Sequence, residues 1–236
     1  MTLTTRIKSL ALALIAATVL LTGSAWAAPV YLDMTDSTGS SAGWNRLNIG
    51  GGGLGQSIGD MIDSGNNSTG ISVEITERFN SRNTSGTSSP SGAAAEFGDH
   101  GADSGFGNFD LSHSAIIIQN SQLTFSNLNE DYTYDFTFFA SRLSAGDNRE
   151  TLYELIGQNT DSATLDPADN TSNVATVIGI SPDINGQIVL NVTEGPNNTN
   201  STGYFYLGAL KVVAVPEPAS IALLGVGSLA LLRRCR

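Results

Sequence analysis

The chain has 236 residues, a formal net charge of −11, 26 glycines and only 14% charged residues. An excess of 22 acidic over 11 basic side chains excludes non-specific nucleic-acid binding, which runs on the neutralisation of phosphates. A single cysteine, Cys235, excludes a disulfide framework and leaves the body of the chain without thiolate chemistry.

Residues 1–27 read as a secretory signal helix. Arg6 and Lys8 form a positive start, Leu10–Leu21 is apolar except for Thr18, and Ala25-Trp26-Ala27 is a small-x-small cleavage site. Such a leader implies the Sec translocon and signal peptidase as partners, with the mature chain starting at Ala28. The body then spans 28–214, with six basic and 21 acidic side chains and a net charge of −15. That length suits one domain with a sizeable core. The abundance of Gly, Ser, Thr and Asn suits an extracellular β-protein.

Short strands are expected over Val30–Met34 and Trp44–Ile49, joined by a Ser/Gly/Asp loop. Gly50–Gly55 is a turn: it has no following Lys-Ser/Thr for a phosphate loop and opens no helix of a dinucleotide-binding unit. Gly70–Phe79 alternates, with Ile71, Val73 and Ile75 on one face, the mark of a half-buried strand. Asn80–Phe109 is a long polar stretch, read as a loop with a short helix near Ala93–Phe97. Further strands are expected at Ser114–Gln119, Gln122–Leu128, Asp131–Arg142, Arg149–Ile156, Ala175–Ile180, Gln187–Thr193 and Gly203–Val213, separated by turns such as Ser181-Pro182-Asp183 and Asn185-Gly186. The clearest of these places Tyr132, Tyr134, Phe136 and Phe138 on one face. Nine or ten strands without crossover helices predict an all-β fold, an antiparallel two-sheet β-sandwich of jelly-roll type.

Little here marks catalysis. His100 and His113 are the only histidines. His100, near Asp99 and Asp103, matches no zinc spacing and is read as part of a solvated loop. No nucleophile elbow is present. A carboxylate pair for glycoside hydrolysis is assembled in space rather than in sequence; Asp135 and Glu150 are the acids to test, although alternation turns Asp135 outward. Two arginines lie close together in a chain that has few, and Arg142, Asp147, Asn148 and Arg149 form a polar patch. Its plain reading is a pinned hairpin. Its functional reading is a rim for sugar hydroxyls, with Tyr204 and Tyr206 placed to stack on a sugar face. Asp, Asn and loop carbonyls also suit one structural Ca²⁺.

The segments YDFTFFASRLSAGDNRETLYELIG, DNTSNVATVIGISPDINGQIVLNVT and GYFYLGALKVV, from Tyr134 to Val213, resemble the C-terminal half of a galactose-binding-like β-sandwich domain. The resemblance implies a secreted, non-catalytic module associated with glycans.

The chain closes on VPEPASIALLGVGSLALLRRCR. Pro216-Glu217-Pro218 is expected to be extended and unpaired. The apolar run 219–232 is shorter than the ~20 residues of a free-standing membrane span, and Arg233 and Arg234 belong on the cytoplasmic side. These three parts in order resemble the PEP-CTERM sorting signal of Gram-negative bacteria. The resemblance implies an exosortase that cuts near the motif, a transient inner-membrane anchor through residues 219–232, and a body delivered to the cell surface or extracellular matrix. Together these readings give an exported, non-enzymatic surface protein associated with exopolysaccharide and adhesion. A glycan-active hydrolase and an inert surface subunit are the alternatives.

Overall fold

The computed structural model describes residues 28–35, 41–107 and 120–216. Ala25, Ala27, His113, the strand expected over 114–119, and the tail from Glu217 with Pro218, Arg233 and Arg234 lie outside the described residues.

The described strands are β1 (Val30–Thr35), β2 (Trp44–Asn48), β3 (Ser57–Ile58), β4 (Ser72–Glu77), β5 (Ser81–Asn83), β6 (Ser104–Gly107), β7 (Ser121–Ser126), β8 (Tyr132–Phe139), β9 (Thr151–Ile156), β10 (Thr160–Leu165), β11 (Ala175–Ile180), β12 (Ile188–Glu194), β13 (Phe205–Leu207) and β14 (Ala209–Pro216). One sheet runs β11-β8-β14-β1-β2, a second β10-β9-β12-β7-β4-β3, and a small third β13-β6-β5. The all-β sandwich stands. Among the described strands the one parallel pair is β1 with β2, Leu32 opposite Asn45, where pure antiparallel pairing was expected. The eight residues between these strands reach ~26 Å when extended, more than the roughly 17 Å length of β1.

The two large sheets meet through aromatic side chains supplied by alternation. Tyr134, Phe136 and Phe138 are buried on β8. Phe136 meets Phe125 of β7 edge-on at 5.3 Å, and Phe138 stacks on Tyr153 of β9 at 4.5 Å. Each such ring removes ~150–250 Å² from water. Asp135 faces the other way, and its Oδ1 accepts the Gly179 N–H at 2.8 Å, beside the register shift between Val177 and Ile180.

The polar stretch after β4 is not a bare loop. It holds β5, β6 and, in place of the expected helix, a 3-10 segment over Gly92–Gly101 whose geometry breaks at Gly98. This segment covers the outer face of the β1 sheet. Phe97 and Ala94 are fully buried there beside Phe139 and Ala209. Glu96 accepts the Tyr31 hydroxyl at 3.0 Å and the Lys211 ammonium at 2.6 Å, tying the cover to β1 and β14.

Strand β14 carries on through the expected boundary at 214, with Val215 opposite Thr133 and Pro216 opposite Tyr132. The first proline of the tail motif therefore lies in register at the end of a sheet strand, not in an unpaired peptide.

Candidate functional site

The small third sheet builds the floor of a cleft. Register places Tyr206 of β13 beside Phe106 of β6, and Phe106 beside Ser81 of β5. Strand β6 reads Ser-Gly-Phe-Gly because rings press on both glycines. A Cβ on Gly107 would stand 2.0 Å from the Phe205 ring, and one on Gly105 2.9 Å from that of Phe79. The phenylalanine between them joins a trio: Phe106 meets Tyr204 edge-on at 5.6 Å and Tyr206 at 6.1 Å, with Tyr204 and Tyr206 6.4 Å apart. Tyr206 is seated from below by Tyr153, whose hydroxyl donates to the Tyr206 carbonyl at 2.7 Å.

Around these rings stand three arginines. Arg149 donates from Nε to Asp147 Oδ1 at 2.8 Å and from Nη1 to the Tyr206 hydroxyl at 2.7 Å. Its guanidinium carbon lies 5.5 Å from the Tyr204 ring centre, within cation–π range. Burial opposes the Arg149 charge, but Asp147 and Tyr206 outweigh it and hold its pKa above the ordinary value. The same pairing with Arg149 pulls the Asp147 carboxyl below its usual range. Arg82 of β5 faces Asp103 at 3.4 Å. Arg142 is fixed by its backbone, with its N–H on the Pro167 carbonyl at 2.7 Å and its carbonyl accepting Asp169 N–H at 2.9 Å. Its guanidinium donates to the carbonyl of Leu143.

The resulting cleft has a volume of about 340 Å³, in the size range of small-ligand sites. Arg82, Asn83, Thr84, Ser85, Phe106, Arg142, Arg149, Tyr204 and Tyr206 line it, and among the described residues no Asp or Glu does. Of the residues expected at a sugar rim, Arg142, Arg149 and Tyr204 thus share one wall. Asp147 stands behind Arg149 as its brace and also takes an N–H from Asn200. Asn148 is turned inward as a turn cap: its Oδ1 accepts Glu150 N–H at 2.8 Å and its carbonyl accepts Thr199 N–H at 2.9 Å. Sequence reasoning missed Arg82, Asn83 and Phe106, because β5 and β6 lie in the stretch read as loop. The scarcity of basic residues was the signal that could have marked Arg82.

A second polar cluster lies between β1, β2 and the 3-10 segment. Asp33, 3% exposed, takes His100 Nδ1 at 3.0 Å and Arg46 Nε at 3.6 Å, while its Oδ1 is buried without a hydrogen bond. Burial pushes the Asp33 carboxyl up to about 6, against the lowering by His100 and Arg46. His100 was expected in a solvated loop; it is instead stacked on Trp44 at 3.8 Å. Among the described residues no group of three or more His, Cys, Asp or Glu is placed to hold a metal ion. Several acids close turns instead: Asp183 Oδ1 accepts the N–H groups of Asn185 and Gln187, and Asp63 Oδ1 those of Gly65 and Asn67. Glu150 receives Asn197 N–H at 2.9 Å and its side-chain amide at 3.1 Å, so it anchors the loop after β12. Among the described residues no helix is long and apolar enough to cross a membrane.

The PEP-CTERM protein-sorting motif is found over residues 214–236. The motif implies an exported protein held transiently at the membrane and processed by an exosortase. No curated protein matches the chain. Among solved structures, the chain is similar to the ANXUR1 extracellular domain from Arabidopsis thaliana, at 9% identity and a TM-score of 0.36, over 66% of this chain and 51% of that one. It is also similar to TmCBM61 in complex with β-1,4-galactotriose, at 12% identity and a TM-score of 0.27, over 61% of this chain and 82% of that one. The chain thus spans about half the length of the ANXUR1 chain it matches.

Proposed function

We propose that this is a surface or matrix protein whose body binds polysaccharide in the cleft between β5, β6 and β13. Signal peptidase removes residues 1–27, the tail holds the chain in the inner membrane through residues 219–232, and exosortase processing delivers the body outside. There it associates with exopolysaccharide and serves adhesion without turnover of its ligand.

The observation that carries the binding reading is the convergence of three aromatic rings and three guanidinium groups on one cleft. Sugars present an apolar C–H face and a rim of hydroxyls. Aromatic rings take the first and planar guanidinium groups the second, in paired hydrogen bonds. Tyr206 and Arg149 are mutually locked, so part of the ordering cost is met before a ligand arrives.

The test is affinity electrophoresis of the full chain through gels containing polysaccharides of differing composition, including the native host's exopolysaccharide. The wild type is expected to be retarded, and Tyr204→Ala to lose roughly tenfold or more in affinity while melting at nearly the same temperature, since Tyr204 is only half-buried. Unretarded wild type in every gel would remove the binding reading and leave an inert surface subunit. Release of reducing sugar by the wild type, absent from Asp135→Asn or Glu150→Gln, would replace it with a hydrolase.

A further inference from the structure

We infer that the cleft selects acidic polysaccharides, taking a uronate carboxylate at Arg142 while the face of the sugar ring lies on Tyr204 and Phe106. This deepens the glycan reading above and rests on it. The distribution of charge carries the inference. The body has six basic side chains among 21 acidic ones, yet Arg82, Arg142 and Arg149 line a single cleft, and no carboxylate lines it among the described residues. A site for neutral sugars has no need of that concentration, because carboxylates and amides serve hydroxyl groups as well as guanidinium does. A site for a carboxylate needs cations on its lining without acids beside them there. Three arginines line this cleft, and the acids that pair with two of them, Asp147 with Arg149 and Asp103 with Arg82, are not among the described lining residues.

The three arginines are not equivalent. Arg149 is engaged by Asp147 and Tyr206, and Arg82 by Asp103. Arg142 makes no ion pair among the described residues; its guanidinium donates to the main-chain carbonyl of Leu143 and acts electrostatically on the Tyr206 hydroxyl. Its backbone is held from both sides by the segment around Pro167 and Asp169, so the cation is positioned and uncompensated. Guanidinium and carboxylate match in a planar two-bond pair. The net charge of −15 opposes a polyanion at long range, but at physiological salt that field is screened beyond ~8 Å. Selection therefore rests on the short-range pair inside the cleft.

The experiment compares several uronans, polygalacturonate and alginate among them, each with its carboxyl-reduced counterpart. Reduction replaces the carboxylate by a hydroxymethyl group and leaves ring and linkage unchanged. Affinity of the full chain is read by gel retardation, with dextran sulfate as a probe for unspecific attraction to polyanions. The expected result is at least one uronan bound roughly tenfold more tightly than its reduced form. Arg142→Gln is expected to abolish that preference, and Arg142→Lys, which keeps the charge but not the fork, to restore part of it. Tyr204→Ala is expected to weaken both forms alike. Equal binding of uronan and reduced form would overturn the acidic selection and leave the glycan reading standing. Retention by neither form, with retention by other neutral glycans, would do the same; retention by no glycan at all would end both. Equal retention by uronan and dextran sulfate, unchanged in Arg142→Gln, would also overturn the inference. Should Arg142→Gln fail to fold, the wild-type comparison of uronan with reduced uronan still decides it.

Discussion

At the scale of single residues, the body uses its polar side chains in two ways. Several acids close turns or brace arginines, and in some of these the ionised form is favoured: Asp147 is lowered by its hydrogen bond with Arg149, and Asp183 by the Gln187 N–H. Asp33 is the opposite case. Burial raises its carboxyl from an ordinary 3.8 to about 6, so the folded protein binds this proton more tightly than the unfolded chain does. Its contribution to stability is fully present below about pH 4 and is lost as the pH rises through about 6. Asp33→Asn removes the titration. Relative to wild type, the variant should gain stability between about pH 4 and 6, by upward of ~1 kcal/mol, as read from thermal midpoints across that range. A difference between the two proteins that stays constant with pH would contradict the reading of Asp33 as a buried, charge-disfavoured carboxyl. His100 shows why sequence misplaces such a group. Its neighbours Asp99 and Asp103 look solvated, whereas its partners Asp33 and Trp44 come from strands more than 50 positions earlier.

At the scale of elements, β14 links the body to the sorting signal. Its pairing with β8 continues to Pro216 opposite Tyr132, so no slack chain separates the fold from the motif. An enzyme that cuts near Pro216 needs extended, unpaired peptide, and the end of β14 must open to supply it. Inserting Gly-Ser-Gly-Ser between Val215 and Pro216 should speed processing in the native host several-fold. It should change the stability of the body by no more than ~0.5 kcal/mol, since it lies at a strand end. Processing unchanged or slowed in a time course of the cleaved form would contradict the tethering. This junction was not legible in the sequence, where Pro-Glu-Pro reads as an unpaired handle. A proline at the last position of a strand is compatible with pairing because its missing N–H removes only a terminal bond. Long alternating strands such as β8 and β12 were legible, because period two survives whatever packs on them. Strands β5 and β6 were not, because the three residues of β5 and the four of β6, two of them glycine, carry too little periodicity. The candidate site was legible only in half for that reason. Arg142, Arg149 and Tyr204 stood beside recognisable strands, while Arg82 and Phe106 reached the cleft through the third sheet alone.

At the scale of the molecule, the sorting motif and the proposed binding cleft occupy different parts of the chain. Residues 214–236 carry the sorting motif. Among the described residues the body encloses its main aromatic core between two sheets, with a smaller cluster under the 3-10 segment, and gathers half of its basic side chains at one cleft. A net charge of −15 over the body makes its copies repel one another. The most direct test of the whole account is the intact mass of the protein from its native host, in wild-type cells and in cells lacking exosortase. A mature form that begins at Ala28 and ends near Pro216 in wild-type cells alone is the predicted result. A form retaining Arg236 in both strains would contradict the sorting claim and leave a tail-anchored domain facing the periplasm.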